Sequence, residues 1–163
     1  MAASELPKPN FMAVDHVSWT VPDLEAALKF YVEVFGAEVL YRLGPIDAAE
    51  IPPNDQGRDY MDTHINVPGA ALSLAMLKLS HNLNFQLVEY SKPADRTTQL
   101  PRSCDRGGHH LAIKVDDVDK AAAYLTAHGC KTMETIFMEE GPLTGKKNMY
   151  FFDPFGHQLE LVD

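Results

Sequence analysis

Only two cysteines occur in the 163 residues, Cys104 and Cys130, and they form no CxxC pair. A disulfide scaffold and a thiolate metal knuckle are thereby excluded, and both residues read as reduced thiols of a cytoplasmic protein. Positive charge is also scarce: 14 Lys and Arg stand against 23 Asp and Glu, a formal net charge of −9. Nucleic acid and anionic membrane both require clustered basic residues, so neither is expected as a partner. The sequence holds no apolar run of about 18 residues that could span a bilayer. Nor does its N-terminus combine the basic start, apolar stretch and small-residue cleavage site of a secretory signal. What is present is ordinary globular composition, 45% hydrophobic with aromatics spread along the chain. That length suits one compact domain, or two small halves sharing a core.

The informative feature is a repeat. His16-Val17-Ser18-Trp19-Thr20-Val21 followed by Asp23-Leu24 returns as His110-Leu111-Ala112-Ile113-Lys114-Val115 followed by Asp117-Val118. Further on, Phe85-Gln86-Leu87-Val88 returns as Leu159-Glu160-Leu161-Val162. A repeat decides architecture before anything else does. Here it also nominates four residues of one site: His16, Gln86, His110 and Glu160.

Each copy begins with alternation. Val17, Trp19 and Val21 share one face of a strand, while His16, Ser18 and Thr20 share the other. Asp23 caps a helix carrying Leu24, Ala27, Leu28, Tyr31 and Phe35 at helical spacing, and Gly36 stops it. In the second copy Asp116 or Asp117 is the cap, Val118, Ala122 and Leu125 form the stripe, and Gly129 is the stop. Strand-like segments follow at 37–43, 70–79 and 84–90, and again at 130–138, 147–152 and 157–162. The expected architecture is therefore α+β, with two βαβββ modules. Residues 1–12 read as a loose leader, 13–90 as module one, 91–108 as a linker and 109–163 as module two. The proline-rich stretch 44–68 reads as a loop inserted in module one, with no hidden element. Loops of that length are often lids, and Arg58, Tyr60, Asp62 and His64 are the lid candidates.

Together, Asp15-His16-Val17, Val21-Pro22-Asp23-Leu24 with Phe30-Tyr31, Gly108-His109-His110-Leu111-Ala112, and Asp153-Pro154-Phe155-Gly156-His157 through Leu161 resemble the vicinal oxygen chelate superfamily. That superfamily includes glyoxalase I, methylmalonyl-CoA epimerase, extradiol dioxygenases, fosfomycin-resistance enzymes and bleomycin-binding proteins. The resemblance covers about residue 13 to the end, outside the 44–68 insertion. It implies a cup-shaped mixed sheet with flanking helices and a divalent metal inside the cup. The metal positions transfer to His16 and Gln86 from module one, and to His110 and Glu160 from module two. Matching the two repeats selects His110 over His109. A homodimer, in some members one that exchanges modules between chains, is implied as well.

Two imidazoles, an amide oxygen and a carboxylate suit Mn, Fe, Co, Ni or Zn; Mg is admitted but less suited to imidazole. Four such ligands leave two octahedral positions, enough for a small-molecule substrate with adjacent oxygens. Glu160 is the only anionic ligand, so a divalent ion keeps a net positive charge and polarises a bound carbonyl. The expected reaction is removal of a proton next to that carbonyl, the step shared by isomerases, epimerases and glyoxalase-type lyases. Glu160 is the expected base, as in glyoxalase I relatives. Glu89 is a poor candidate by parity, because Gln86, Val88 and Tyr90 share the inward face and Glu89 points the other way. Tyr90, Ser18 and Gln158 are the expected substrate contacts, with Thr20 and Lys114 also of inward parity.

Two alternatives of other classes stand beside this reading. An Fe(II) extradiol-type dioxygenase could use His16, His110 and Glu160, but it needs three open positions, and a ligating Gln86 leaves two. A non-catalytic antibiotic-binding protein is the other, although such relatives typically lack the metal set retained here.

Overall fold

The computed structural model describes residues 7–163. Module one contributes β1 (His16–Thr20), α1 (Leu24–Phe35), β2 (Glu38–Asp47), a 3₁₀ turn at Ala48–Glu50, α2 (Tyr60–Ile65), β3 (Ala71–Ser80) and β4 (Leu83–Lys92). Module two contributes β5 (Leu111–Lys114), α3 (Val118–Ala127), β6 (Lys131–Thr132), β7 (Ile136–Phe137), β8 (Lys147–Phe152) and β9 (Gln158–Val162). The strands form two mixed sheets. The first runs β1-β4-β3-β2, and the second β5-β9-β8-β6 with β7 also paired to β8. In each sheet the first strand of the module lies parallel to its last, at one edge.

The helix punctuation works as the sequence implies. The Asp23 carboxylate accepts from the Ala26 amide, and Gly36 takes a left-handed conformation with φ of 67°. Asp117 repeats the cap by accepting from the Lys120 amide, and Gly129 follows α3 with φ of 87°. Glu89 accepts from the Leu24 amide at 2.8 Å. Its carboxylate thus satisfies the N-terminus of α1 on the outer side of the sheet, where its strand parity puts it.

Two expectations need correction. The 44–68 segment is not all loop: β2 continues to Asp47, and α2 follows after the 3₁₀ turn. Asp59 accepts from the Asp62 amide to start α2, and Asn66 ends it in a left-handed conformation. Six residues make too few turns to show a periodic apolar stripe, so the caps were the only sequence signal. The single strand expected over 130–138 is two short pieces, β6 and β7, each pairing with β8.

The larger of two core clusters draws on both modules, and a smaller one in module one gathers Ala48, Met61, Ala70, Leu72 and Val88. Val21, Tyr31, Phe85, Leu87, Phe151, Leu159 and Leu161 are among the fully buried members of the larger cluster. The modules are locked together through the turn before β9. Asp153 Oδ1 accepts from the amides of Phe155 and His157, and Asp153 Oδ2 accepts from the Tyr31 hydroxyl of α1 at 2.7 Å. His157 stacks on Trp19, with ring centroids 4.6 Å apart, and its Nε2 lies 3.0 Å from the Thr20 carbonyl.

Burial, reinforced by the Asp153 charge, holds the Tyr31 hydroxyl well above its ordinary pKa, and burial pushes the Cys130 thiol up to about 11. Both groups bind their protons more tightly in the folded chain than in the unfolded one. Their contribution is therefore complete below the unfolded values near 9–10 and is lost as pH rises through the folded ones. The melting temperature is expected to fall between pH 9 and 11. Thermal scans of Tyr31→Phe should show a shallower fall, although the variant starts lower because Asp153 loses a donor.

The linker is tightly wound just ahead of β5. The Gly108 amide donates to the Asp105 carbonyl at 2.8 Å, and a Cβ at Gly108 would lie 2.2 Å from the Arg102 carbonyl oxygen. Gly108→Ala is expected to cost about 1–3 kcal/mol by overpacking and to displace the adjoining His109-His110 pair. Urea denaturation and metal affinity of the variant check the two effects.

Candidate active site

On module one, β1 and β4 run in parallel with Ser18 opposite Gln86 and Thr20 opposite Val88. Trp19, Phe85 and Leu87 point into the core, which leaves His16, Ser18 and Gln86 together on the other face. The Ser18 hydroxyl donates to Gln86 Oε1 at 2.9 Å and fixes the amide oxygen on that face. His16 Nδ1 lies 2.6 Å from the Asp15 carboxylate. Such a pairing orients the ring and leaves Nε2 as the nitrogen free to bind a metal.

On module two, Leu159 and Leu161 enter the core while Gln158 and Glu160 take the opposite face of β9. His110 sits one residue ahead of β5, and its Nε2 lies 3.2 Å from Glu160 Oε2. The second carboxylate oxygen, Oε1, accepts from Asn148 Nδ2 at 3.1 Å. Tyr150 is opposite Glu160 on β8, and its ring meets His110 edge-on at 5.1 Å. Burial, and then the Glu160 charge, raise the Tyr150 pKa, so its hydroxyl keeps its proton as a donor. Glu160 is 8% exposed, and among the described residues no buried side-chain nitrogen or oxygen lacks a hydrogen-bond partner.

Asn148 and Tyr150 are site residues that the sequence reading missed. Their signal was the shared parity of alternate residues on 147–152, but their meaning depended on which strand lay beside β9. Gln158 accepts from the Ser103 hydroxyl, tying the linker to the rim of a cavity lined also by Gly108, His109, His110 and Tyr150. Tyr90 lines a different cavity, of about 230 Å³, in module one. Gln86, Tyr60 and His64 line it too, among Leu43, Ile46, Leu72, Leu74 and Val88. Of the lid candidates, Tyr60 and His64 therefore reach the cavity. Arg58 instead binds Asp62 through two nitrogens, at 2.7 and 2.9 Å.

The donor types fit a divalent ion, and each half is ordered for one. His110 faces Glu160, and Gln86 shares a face with His16. The four do not converge within the chain, however. Gln86 and His110 line separate cavities. Among the described residues, no three His, Cys, Asp or Glu side chains gather in a group able to hold a metal.

Two strand-paired modules with equivalent polar residues on corresponding strands narrow the family, and comparison with known proteins decides it. The Glyoxalase/Bleomycin resistance protein/Dioxygenase superfamily pattern matches residues 13–161. The chain belongs to this superfamily. It is 44% identical over 160 residues to a 2-epi-5-epi-valiolone epimerase from Actinomyces sp, covering 95% of this chain and 81% of that protein. It is 26% identical to a lactoylglutathione lyase from Schizosaccharomyces pombe, with 91% of this chain and 46% of that protein aligned. The crystal structure of a glyoxalase family protein from Bacillus cereus superposes with a TM-score of 0.71 at 18% identity, covering 96% of this chain and 97% of that one. The fold is thus the glyoxalase-like α+β fold, and the named relatives support an enzyme of isomerase or lyase type. No helix among the described residues is long and apolar enough to cross a membrane.

Proposed function

We propose that this superfamily member is a divalent-metal-dependent epimerase that moves a proton at the carbon next to a ketone. The observation that carries the proposal is the setting of Glu160. One carboxylate oxygen is held by Asn148, and the other faces His110 on the strand face turned away from the core. A carboxylate held in this way can accept a substrate proton without a large rearrangement. The 44% identical relative is named as an epimerase of 2-epi-5-epi-valiolone, which makes that ketone the first substrate to try.

His16, Gln86, His110 and Glu160 would hold the ion. When bound, it supplies a Lewis acid that polarises the substrate carbonyl and acidifies the neighbouring C–H. The side chains perform the rest. Glu160 takes the proton, becoming a carboxylic acid, and the Tyr150 hydroxyl adjusts how readily it does so. The apolar wall of Leu43, Ile46, Leu72, Leu74 and Val88 receives the carbon face of the substrate and excludes water. Tyr90, Ser18 and Gln158 are proposed to hold substrate oxygens. Return of a proton to the opposite face inverts the centre, and Tyr60, His64 and Tyr90 are the groups in the module-one cavity able to carry it. An epimerase relative favours proton transfer over oxygen chemistry. A cytoplasmic homodimer completes the proposal.

Incubation of the metal-loaded protein with 2-epi-5-epi-valiolone, followed by NMR, tests the reading. Formation of a second diastereomer supports it. An unchanged substrate, with related cyclic hydroxyketones equally unchanged, would count against an epimerase.

A further inference from the structure

α2 has no counterpart in module two, and although short it is tied down at both ends. Asp59 accepts from the Asp62 amide at 2.8 Å through one carboxylate oxygen and from the Gly69 amide at 3.0 Å through the other. Asn66 closes the helix in a left-handed conformation, and Arg58 forks the Asp62 side chain. Met61, 2% exposed, pins the helix to the smaller core cluster through Leu72 and Val88. Residues four apart on a helix share a face, so Tyr60 and His64 come together. Their rings stack, with centroids 5.2 Å apart and planes 15° from parallel. A helix fixed in this way presents the pair ready-made to the cavity it lines.

The cavity is aliphatic along one wall, and its polar groups are the Tyr60 and Tyr90 hydroxyls, the His64 imidazole and the Gln86 amide. Tyr60 and His64 meet each other through their rings alone, so the hydroxyl and the ring nitrogens are left for a ligand. Burial raises the Tyr90 pKa, and its hydroxyl stays a donor. Among the described residues no Lys or Arg lines the cavity. The cations next in sequence to its lining residues are engaged elsewhere: Arg58 on Asp62, Lys92 on Asp47 at 2.7 Å, and Arg42 on Glu25. Hydroxyl and imidazole groups suit the oxygens of a polyol. A phosphate entering here would give up its water without meeting a countercharge. The volume, about 230 Å³, is below the range of about 300–1,000 Å³ typical of drug-sized sites. One small ring fits such a space, and a long conjugate does not.

We infer that α2 is the element that selects the substrate. Tyr60 and His64 bind hydroxyls of a small, uncharged cyclic polyol ketone, and the cavity rejects the phosphorylated form of the same ring. The inference deepens the epimerase reading above and rests on it for the ketone. In that reading the ketone is engaged at the metal, beside Gln86, so the remaining hydroxyls of the ring are the ones left for α2.

Equilibrium dialysis of the metal-loaded protein at pH 8, against 2-epi-5-epi-valiolone and against its monophosphate ester, tests the inference. Mass spectrometry counts both epimers together, so affinity is read whether or not turnover occurs. The free ketone is expected to bind about 10²-fold more tightly than the ester, the scale set by a charged group left without its partner. His64→Lys puts a cation on the α2 face and should narrow that preference about tenfold. Tyr60→Phe should weaken binding of the free ketone about three- to tenfold, a loss that appears in KM and not in kcat. Both side chains are exposed, so both variants should fold. An ester that binds wild type as tightly as the free ketone would overturn the inference, and so would a His64→Lys protein that keeps the wild-type preference. A Tyr60→Phe protein with lowered kcat at unchanged KM would equally overturn the binding role of α2. The expected preference without any turnover would support the selection and overturn the epimerase reading beneath it.

Discussion

Glu160→Gln is expected to lower turnover by about 10²- to 10⁴-fold, the usual range for loss of a positioned general base. The replacement keeps the shape of the side chain and an oxygen able to accept from Asn148. What it removes is the basicity and the negative charge beside His110. Because the change is isosteric, the far-UV spectrum and thermal midpoint should stay close to wild type. The loss should fall mainly on kcat, since the substrate contacts proposed for Tyr90, Ser18 and Gln158 remain. Solvent-deuterium uptake into the substrate separates the base from the ligand role: metal-loaded protein that binds substrate yet exchanges no proton has lost its base. Turnover within a few-fold of wild type would remove Glu160 from that role.

Phe85→Ala is expected to be the most damaging core substitution, at about 3–5 kcal/mol. Phe85 is fully buried, meeting Trp19 edge-on at 4.8 Å and Tyr31 at 5.0 Å. Truncation removes both aromatic contacts and leaves a cavity that β4 and α1, held by other contacts, cannot close. The site would suffer as well, because Gln86 is the next residue and faces the other way. Urea denaturation should show a midpoint shift of that size with little change in slope, and Phe85→Leu should lose less. A shift below about 1 kcal/mol would mean that the core between the sheets is looser than its packing implies.

Much of this was readable from residues alone because it depends on local rules. Asp23 and Gly36 bracket α1 by capping chemistry, and Pro22 keeps β1 from running into it. Strand parity placed His16 and Glu160 opposite the core, and it turned Glu89 towards the N-terminus of α1. The parts that were not readable depend on distant partners or on very short elements. α2 is too short for periodicity to show. Asn148 and Tyr150 acquire a role only because β8 pairs with β9 in a register that sets Tyr150 against Glu160. The separation of the two pairs of proposed ligands is less local still. The repeat fixes which residues correspond, but packing through Tyr31, Asp153, Trp19 and His157 decides how the modules meet. A sequence that names four ligands does not say that they share one chain's cavity.

The most direct measurement is deuterium uptake by 2-epi-5-epi-valiolone recovered from D₂O after incubation with the metal-loaded protein. Mass spectrometry should show deuterium at the carbon next to the ketone, and chelation of the metal by EDTA should abolish its uptake. Epimerisation with no deuterium uptake, or uptake that survives complete removal of the metal, would contradict metal-assisted proton transfer at this site.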